Sequence, residues 1–267
     1  MLERFSLLCR LMLLMAAVAG VTTNAASPAS GDGKRISLLS RELCADMRLH
    51  KTLSAGSVVD CQRLALLKFD YFGFDGQVHG DGEMVVLDAA ADHVADIFHA
   101  LLKMHFPIQQ AKLLNHYDGD DDASMADNNT SAFNDRVVAG GTSISVHAYG
   151  LAIDLNPIQN PYLQKQNGAL QVSPKAGERY LNRADVRPGM AEAVVDLFAE
   201  NGFPVWGGDW KNPIDYQHFQ VGRDLARRLA ASSSANAKAI FEMQIEQYRR
   251  CRGAGQSRRA CIARTPT

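Results

Sequence analysis

Hydrophobic and polar positions alternate along the chain with several different periods, and each period predicts a different element. The first pattern is not periodic. Arg4 and Arg10 flank the start of the run Leu11 to Gly20, and small residues follow at Thr23, Ala25 and Ala26. A basic start, a short apolar stretch and a small-residue exit make a secretory signal peptide over residues 1–26, with cleavage expected near Ala25 or Ala26. The run is shorter than the ~20 residues of a membrane span, so no stable span is expected once it is cleaved. Residues 27–35 are rich in Ser, Pro, Gly and Ala and read as a flexible leader. Leucines and Met47 give residues 37–68 a helical look, and the Gly-, Asp- and aromatic-rich residues 69–80 read as strand and turn. Met84 to Leu87 is a short strand candidate.

The clearest helix runs from Asp88 to His105, where Val94, Ile97, Phe98, Leu101 and Leu102 make one apolar stripe before Pro107 stops it. His93, His99 and His105 advance by about 240° per step around that helix, so they share no face and are expected to be surface or capping residues. Gln109 to Tyr117 reads as a strand, 118–135 as a polar loop, and Ile144 to Leu155 as a second strand region. Gly189 to Asn201 is a second amphipathic helix with Gly202 as its C-terminal cap. Phe203 to Trp206 reads as a strand, Val221 to Ala230 as a short helix, and a last helix runs to about Tyr248. The expected fold class is α+β, a small, mainly antiparallel central sheet flanked by helices.

Composition changes this picture little. Over 267 residues, 46% hydrophobic and 21% charged content describes an ordinary globular chain and excludes disordered, collagen-like and coiled-coil classes. A net charge of −1 gives no basic field for nucleic acid. Cysteine usage is more informative. Beyond the leader remain Cys44, Cys61, Cys251 and Cys261, an even number, which in an exported chain suggests disulfides. Of the three possible pairings, Cys44–Cys61 and Cys251–Cys261 close the shortest loops; free buried thiols are the alternative. No two lie two to four residues apart, as a four-cysteine zinc site would need.

Two stretches carry candidate chemistry: Ser145 to Leu155, with His147 and Asp154, and Gly207 to Gln220, with Asp215 and His218. On one straight strand His147 and Asp154 would face opposite sides of a sheet, but Tyr149-Gly150 can supply a bend. Asp154 lies among Leu151, Ala152, Ile153 and Leu155, and a carboxylate there must be paired, hydrogen-bonded or bound to metal. His147, Asp154 and His218 would give two imidazoles and a carboxylate with a fourth position open, the donor set of a catalytic zinc site, leaving Asp215 as a general base. Spacing alone leaves this open beside a chance coincidence of common residues.

The two stretches together resemble the metal-binding motifs of the zinc D,D-carboxypeptidase and L-alanyl-D-glutamate peptidase family, M15. The family pattern is Ser-x-His-x6-Asp followed by an acidic residue, two others and His; here it reads Ser145, His147, Asp154, Asp215 and His218. Trp206-Gly207-Gly208-Asp209-Trp210 is most similar to the L-Ala-D-Glu branch. The resemblance spans about residues 62–228, leaving 27–61 as an N-terminal extension, 62–230 as the catalytic domain and 231–267 as a C-terminal helix and basic tail. It implies a DD-peptidase/hedgehog-like zinc peptidase fold, one Zn²⁺ held by His147, Asp154 and His218, and Asp215 as proton carrier. Arg136, in the segment Ser131 to Arg136 matched to the family's arginine, would stabilise the oxyanion. Ser145, Tyr149 and Tyr216 are candidate substrate contacts; for Ser145, a local backbone hydrogen bond is the other reading. The implied substrates are peptidoglycan stem peptides, met by a monomer in the periplasm or outside the cell. The rival reading is a non-catalytic zinc-containing module that binds wall peptides.

Three other features stand outside this pattern. Asp118, Asp120 and Asp122 fit positions one, three and five of a calcium loop, but Ala123 and Asn129 fail at positions six and twelve. A substrate-side or arginine-supporting loop fits better. Trp206 and Trp210 are either aromatic platforms or packing beside the metal strand. The arginine-rich tail from Arg249 to Arg264 is either a contact for an anionic polymer or a solvated end stapled by Cys251 and Cys261.

Overall fold

A computed structural model describes residues 35–138 and 141–264. The signal-peptide reading of residues 1–26 lies outside these residues, as does all of the leader but Arg35. The fold is α+β, as expected, but its strands form three small sheets instead of one central sheet. In the first, β1 (Arg35–Leu38) pairs antiparallel with β2 (Leu64–Gly73), which pairs antiparallel with β3 (Val78–Leu87). Between β1 and β2 lies α1 (Arg41–Leu49), capped by the Ser40 side chain and joined by a Cys44–Cys61 disulfide to the 3₁₀ turn that precedes β2. The leucines at 64, 66 and 67, read above as helical, are the start of β2. A short apolar run bears no period that separates a buried strand from a helix.

The helix α2 (Ala91–Lys103) buries Val94, Ile97, Phe98 and Leu101 against this sheet, and Phe98 stacks on Phe69 with ring centroids 4.0 Å apart. After it, β4 (Pro107–Ile108) pairs parallel with the end of β2. The strand expected at Gln109–Tyr117 does not form: β4 ends before it, only an isolated bridge at Gln110 falls within it, and Leu114–Tyr117 is a 3₁₀ turn. The acidic loop holds a short helix, α3 (Asp121–Ala126), capped by the Asp120 carboxylate.

The second sheet has the order β5-β10-β8, all antiparallel: β5 (Ala152–Asp154), β8 (Val205–Trp206) and β10 (His218–Gln220). The third has the order β7-β6-β9: β6 (Tyr162–Gln166), β7 (Ala169–Ser173) and β9 (Ile214–Asp215). The helix expected over 189–201 begins as a 3₁₀ turn and becomes α4 (Val195–Glu200). Gly202 ends it at φ +94°, where a Cβ would stand 2.3 Å from the Phe241 ring, so no other residue fits.

Three helices close the chain: α5 (Arg223–Ala231), α6 (Ser234–Gly253) and α7 (Arg258–Arg264). Cys251–Cys261 joins the last two. Arg63 makes a two-pronged ion pair with Asp88 at 2.8 and 3.0 Å and also donates to the Ser232 carbonyl, tying the first sheet to the end of α5. The expectation for His93 is corrected here. It is buried, lies edge-on to Phe241 of α6 and bonds Glu242 at 2.7 Å. A helix that arrives about 150 residues later covers a position that α2 alone leaves open. No helix among the described residues is long and apolar enough to cross a membrane.

Candidate metal and catalytic site

Antiparallel pairing of β5 and β10 places His218 directly opposite Asp154, so the two side chains emerge on one face. His147 arrives from a 3₁₀ turn over Val146–Tyr149. Ser145 caps that turn, its Oγ accepting from the His147 N–H at 3.3 Å. Gly150 closes it at φ +65°, and its carbonyl accepts from the Leu87 N–H at 2.9 Å. A Cβ at Gly150 would stand 2.5 Å from the Leu87 nitrogen, so the close approach of the turn to β3 requires glycine. This is the bend that brings His147 and Asp154 to the same point.

His147, Asp154 and His218 are all buried, and their ligand atoms converge. His147 Nε2 lies 3.2 Å from Asp154 Oδ2 and 3.2 Å from His218 Nδ1; His218 Nδ1 lies 3.0 Å from Asp154 Oδ1. Neighbouring donor atoms around a tetrahedral Zn²⁺, bound at ~2.0–2.1 Å, sit ~3.3 Å apart. The far nitrogens decide the tautomers. His147 Nδ1 faces the Ala132 carbonyl at 2.5 Å, and His218 Nε2 faces Gln220 Oε1 at 2.8 Å. Both far partners are acceptors, so each imidazole donates outward and turns a lone pair inward. With both rings neutral, two lone pairs and a carboxylate meet and need a positive charge between them. That arrangement fits a cation. Burial acts to raise the Asp154 pKa, but the charge and hydrogen bonds that the His147 and His218 imidazoles supply when protonated overcome it and hold the carboxyl well below its usual range.

The ligand candidates open on a cavity of about 250 Å³ that Asp215, Arg136 and Trp210 also line. Asp215, on β9 opposite Tyr162, is buried, and its Oδ1 has no hydrogen-bond partner. Burial pushes its carboxyl up to about 7, with the Asp154 charge adding to the rise and the His218 imidazole opposing it. Arg136 pairs with Asp121 of α3, whose other oxygen accepts from Asn134 Nδ2 at 3.1 Å. The acidic loop therefore supports the arginine. Trp210 lies beside His218, ring centroids 5.4 Å apart, while Trp206 is packed inward, stacked on Phe219 with its Nε1–H on the Tyr216 carbonyl at 2.8 Å.

Tyr149 and Tyr216, candidate substrate contacts by their place beside the ligands, do not line this cavity. Tyr149 lines a separate pocket with Arg223 and Arg227. Tyr216 packs under the Arg183 guanidinium, 4.3 Å from its ring centre. Ser145 does line the cavity, and it also makes the local backbone bond. Sequence reasoning missed Gln220, the outer partner of His218, and Tyr162, opposite Asp215. The first had a signal, because residues two apart on a strand share a face.

A search among curated proteins and a search among solved structures each return no match. A family model described as D-alanyl-D-alanine carboxypeptidase matches residues 139–221, a little under a third of the chain. That span contains His147, Asp154, Asp215 and His218, and two of the three small sheets lie within it. The segment that builds the buried His-Asp-His site is thus similar to the D-alanyl-D-alanine carboxypeptidase family of peptidases.

Proposed function

We propose that the chain is a zinc metallopeptidase that hydrolyses peptidoglycan stem peptides, as a D-Ala-D-Ala carboxypeptidase or an L-Ala-D-Glu endopeptidase. One observation carries the reading. Two inward lone pairs and a carboxylate converge within 3.0–3.2 Å of one another, beside an unpartnered carboxylate oxygen in a cavity large enough for a peptide segment. His147 Nε2, Asp154 and His218 Nδ1 would hold the zinc. The ion would supply Lewis acidity toward a water molecule and the scissile carbonyl.

The remaining work falls to side chains. Asp215 takes a proton from the attacking water at Oδ1 and returns it to the leaving amine. Arg136, oriented by Asp121, faces the cavity with a fixed positive charge where an oxyanion develops. Trp210 packs beside His218 and forms part of the cavity wall.

The apolar leader and the two disulfides support export to the periplasm or beyond, where such peptides occur. The test is digestion of defined wall peptides by the zinc-loaded chain, with products read by mass spectrometry. Release of free D-Ala supports the carboxypeptidase type, and cleavage after L-Ala supports the endopeptidase type. Intact peptides alongside stoichiometric zinc would leave a binding module.

A further inference from the structure

Beside the catalytic cavity lies a second one of about 330 Å³, lined by Thr142, Ser143, Ile144, Tyr149, Arg223 and Arg227. Arg223 belongs to the walls of both. It is the first residue of α5, five positions after His218, so the strand that positions the imidazole also positions this guanidinium. Its Nη1 donates to the Ile144 carbonyl at 2.9 Å, which pins it against the stretch that leads into Ser145 and His147. No carboxylate among the described residues pairs with Arg223. Arg227 stands one turn further along the same face of α5 and pairs with Asp224.

The lining carries two positive charges and no acid. No hydrogen bond joins the hydroxyls of Thr142, Ser143 or Tyr149 to another described residue, so three further donors are available there. Two like charges four apart on a helix oppose each other, and an anion between them removes that cost. Carboxylate and guanidinium match in shape and charge. We propose that Arg223 and Arg227, with the hydroxyls of Thr142 and Ser143, form an anion subsite that grips a carboxylate of the peptide whose scissile bond lies in the adjoining cavity.

The inference rests on the peptidase reading, and binding separates the two. A stem pentapeptide with all its carboxylates and its fully amidated counterpart are titrated by calorimetry into the zinc-loaded Asp215→Asn chain. The acidic peptide is expected to bind about 10- to 100-fold tighter, as a charged hydrogen-bonded pair implies. Arg223→Gln or Arg227→Gln, added to that chain, is expected to shrink the gap by at least about tenfold. Arg228→Gln, a loss of charge on the same helix away from the pocket, leaves the gap as it was. Equal affinities for the two peptides, binding of neither, or a gap that survives in both arginine variants overturns the subsite. Absence of hydrolysis by the wild-type zinc form overturns only the peptidase reading.

Discussion

Gln220 is not a metal ligand, yet its replacement is the sharpest probe of the site. Its Oε1 accepts from His218 Nε2 at 2.8 Å, and both residues are buried on β10. That bond fixes the proton on Nε2 and leaves the Nδ1 lone pair facing Asp154 at 3.0 Å. Gln220→Met keeps length and most of the volume but offers no comparable acceptor. The imidazole then has two options. It can keep the proton on Nε2 and leave a buried N–H unpaired, at a cost of about 1–3 kcal/mol. Alternatively it moves the proton to Nδ1, and the inward lone pair is lost. Either outcome weakens zinc binding by about 10- to 100-fold, the usual effect of removing an outer partner of a ligating histidine. In free energy this is roughly 1.4–2.7 kcal/mol. Gln220→Glu restores an acceptor and makes the imidazole more basic, so it holds zinc at least as tightly as the wild type. Competition against a chromophoric chelator measures both constants, and far-UV circular dichroism confirms the fold. Wild-type affinity in Gln220→Met, or an equal loss in Gln220→Glu, would refute the tautomer argument.

Asp215→Ala should retain zinc while turnover falls by about 10²- to 10⁴-fold, the range for a lost general base; loss of the metal instead would make Asp215 a ligand. His147→Ala and His218→Ala should each lower the zinc-to-protein ratio measured by elemental analysis, and an unchanged ratio in both would sink the site. Gly150→Ala should lower the melting temperature, because a positive φ costs a side-chain-bearing residue about 1–3 kcal/mol before the overlap with the Leu87 backbone is added. The Asp215 carboxyl titrates near 7 in the folded, metal-free chain, against 3.8 as an ordinary value, so the folded state binds the extra proton. Its contribution to stability is therefore present at low pH and lost as pH rises through that window. Denaturant midpoints of the metal-free wild type should fall relative to Asp215→Asn between acid and neutral pH; a constant difference would contradict the shift.

The parts of the molecule legible in the sequence are those set by local rules. The apolar stripe of α2 could be read because a period of 3.6 needs no partner to define it. The ligand candidates could be read because His147, Asp154 and His218 keep a spacing that resembles a known motif. Leu64 to Leu67 could not, since a short apolar run suits a buried strand as well as a helix, and its antiparallel neighbour β3 decides between them. His93 was misplaced for the same kind of reason: its burial depends on Phe241 and Glu242 of a distant helix. Tyr149 and Tyr216 each lie two residues from a ligand in the chain, but Tyr149 follows His147 around a 3₁₀ turn, where residues two apart diverge, and Tyr216 sits in the turn between β9 and β10, so neither lines the cavity.

The sequence by itself determined which residues can ligate a metal, which cysteines close short loops, and where the strongest helix lies. Only the tertiary structure decided that two inward lone pairs meet a carboxylate. That outcome depends on the Ala132 carbonyl and the Gln220 amide holding the outer nitrogens, and on β5–β10 register setting Asp154 opposite His218. It likewise decided that Arg136 is held by Asp121 and that Arg223 stands between two cavities. Spacing along a chain specifies what a segment can become; hydrogen-bond partners and register, which join segments far apart in sequence, specify which atoms of it face one another.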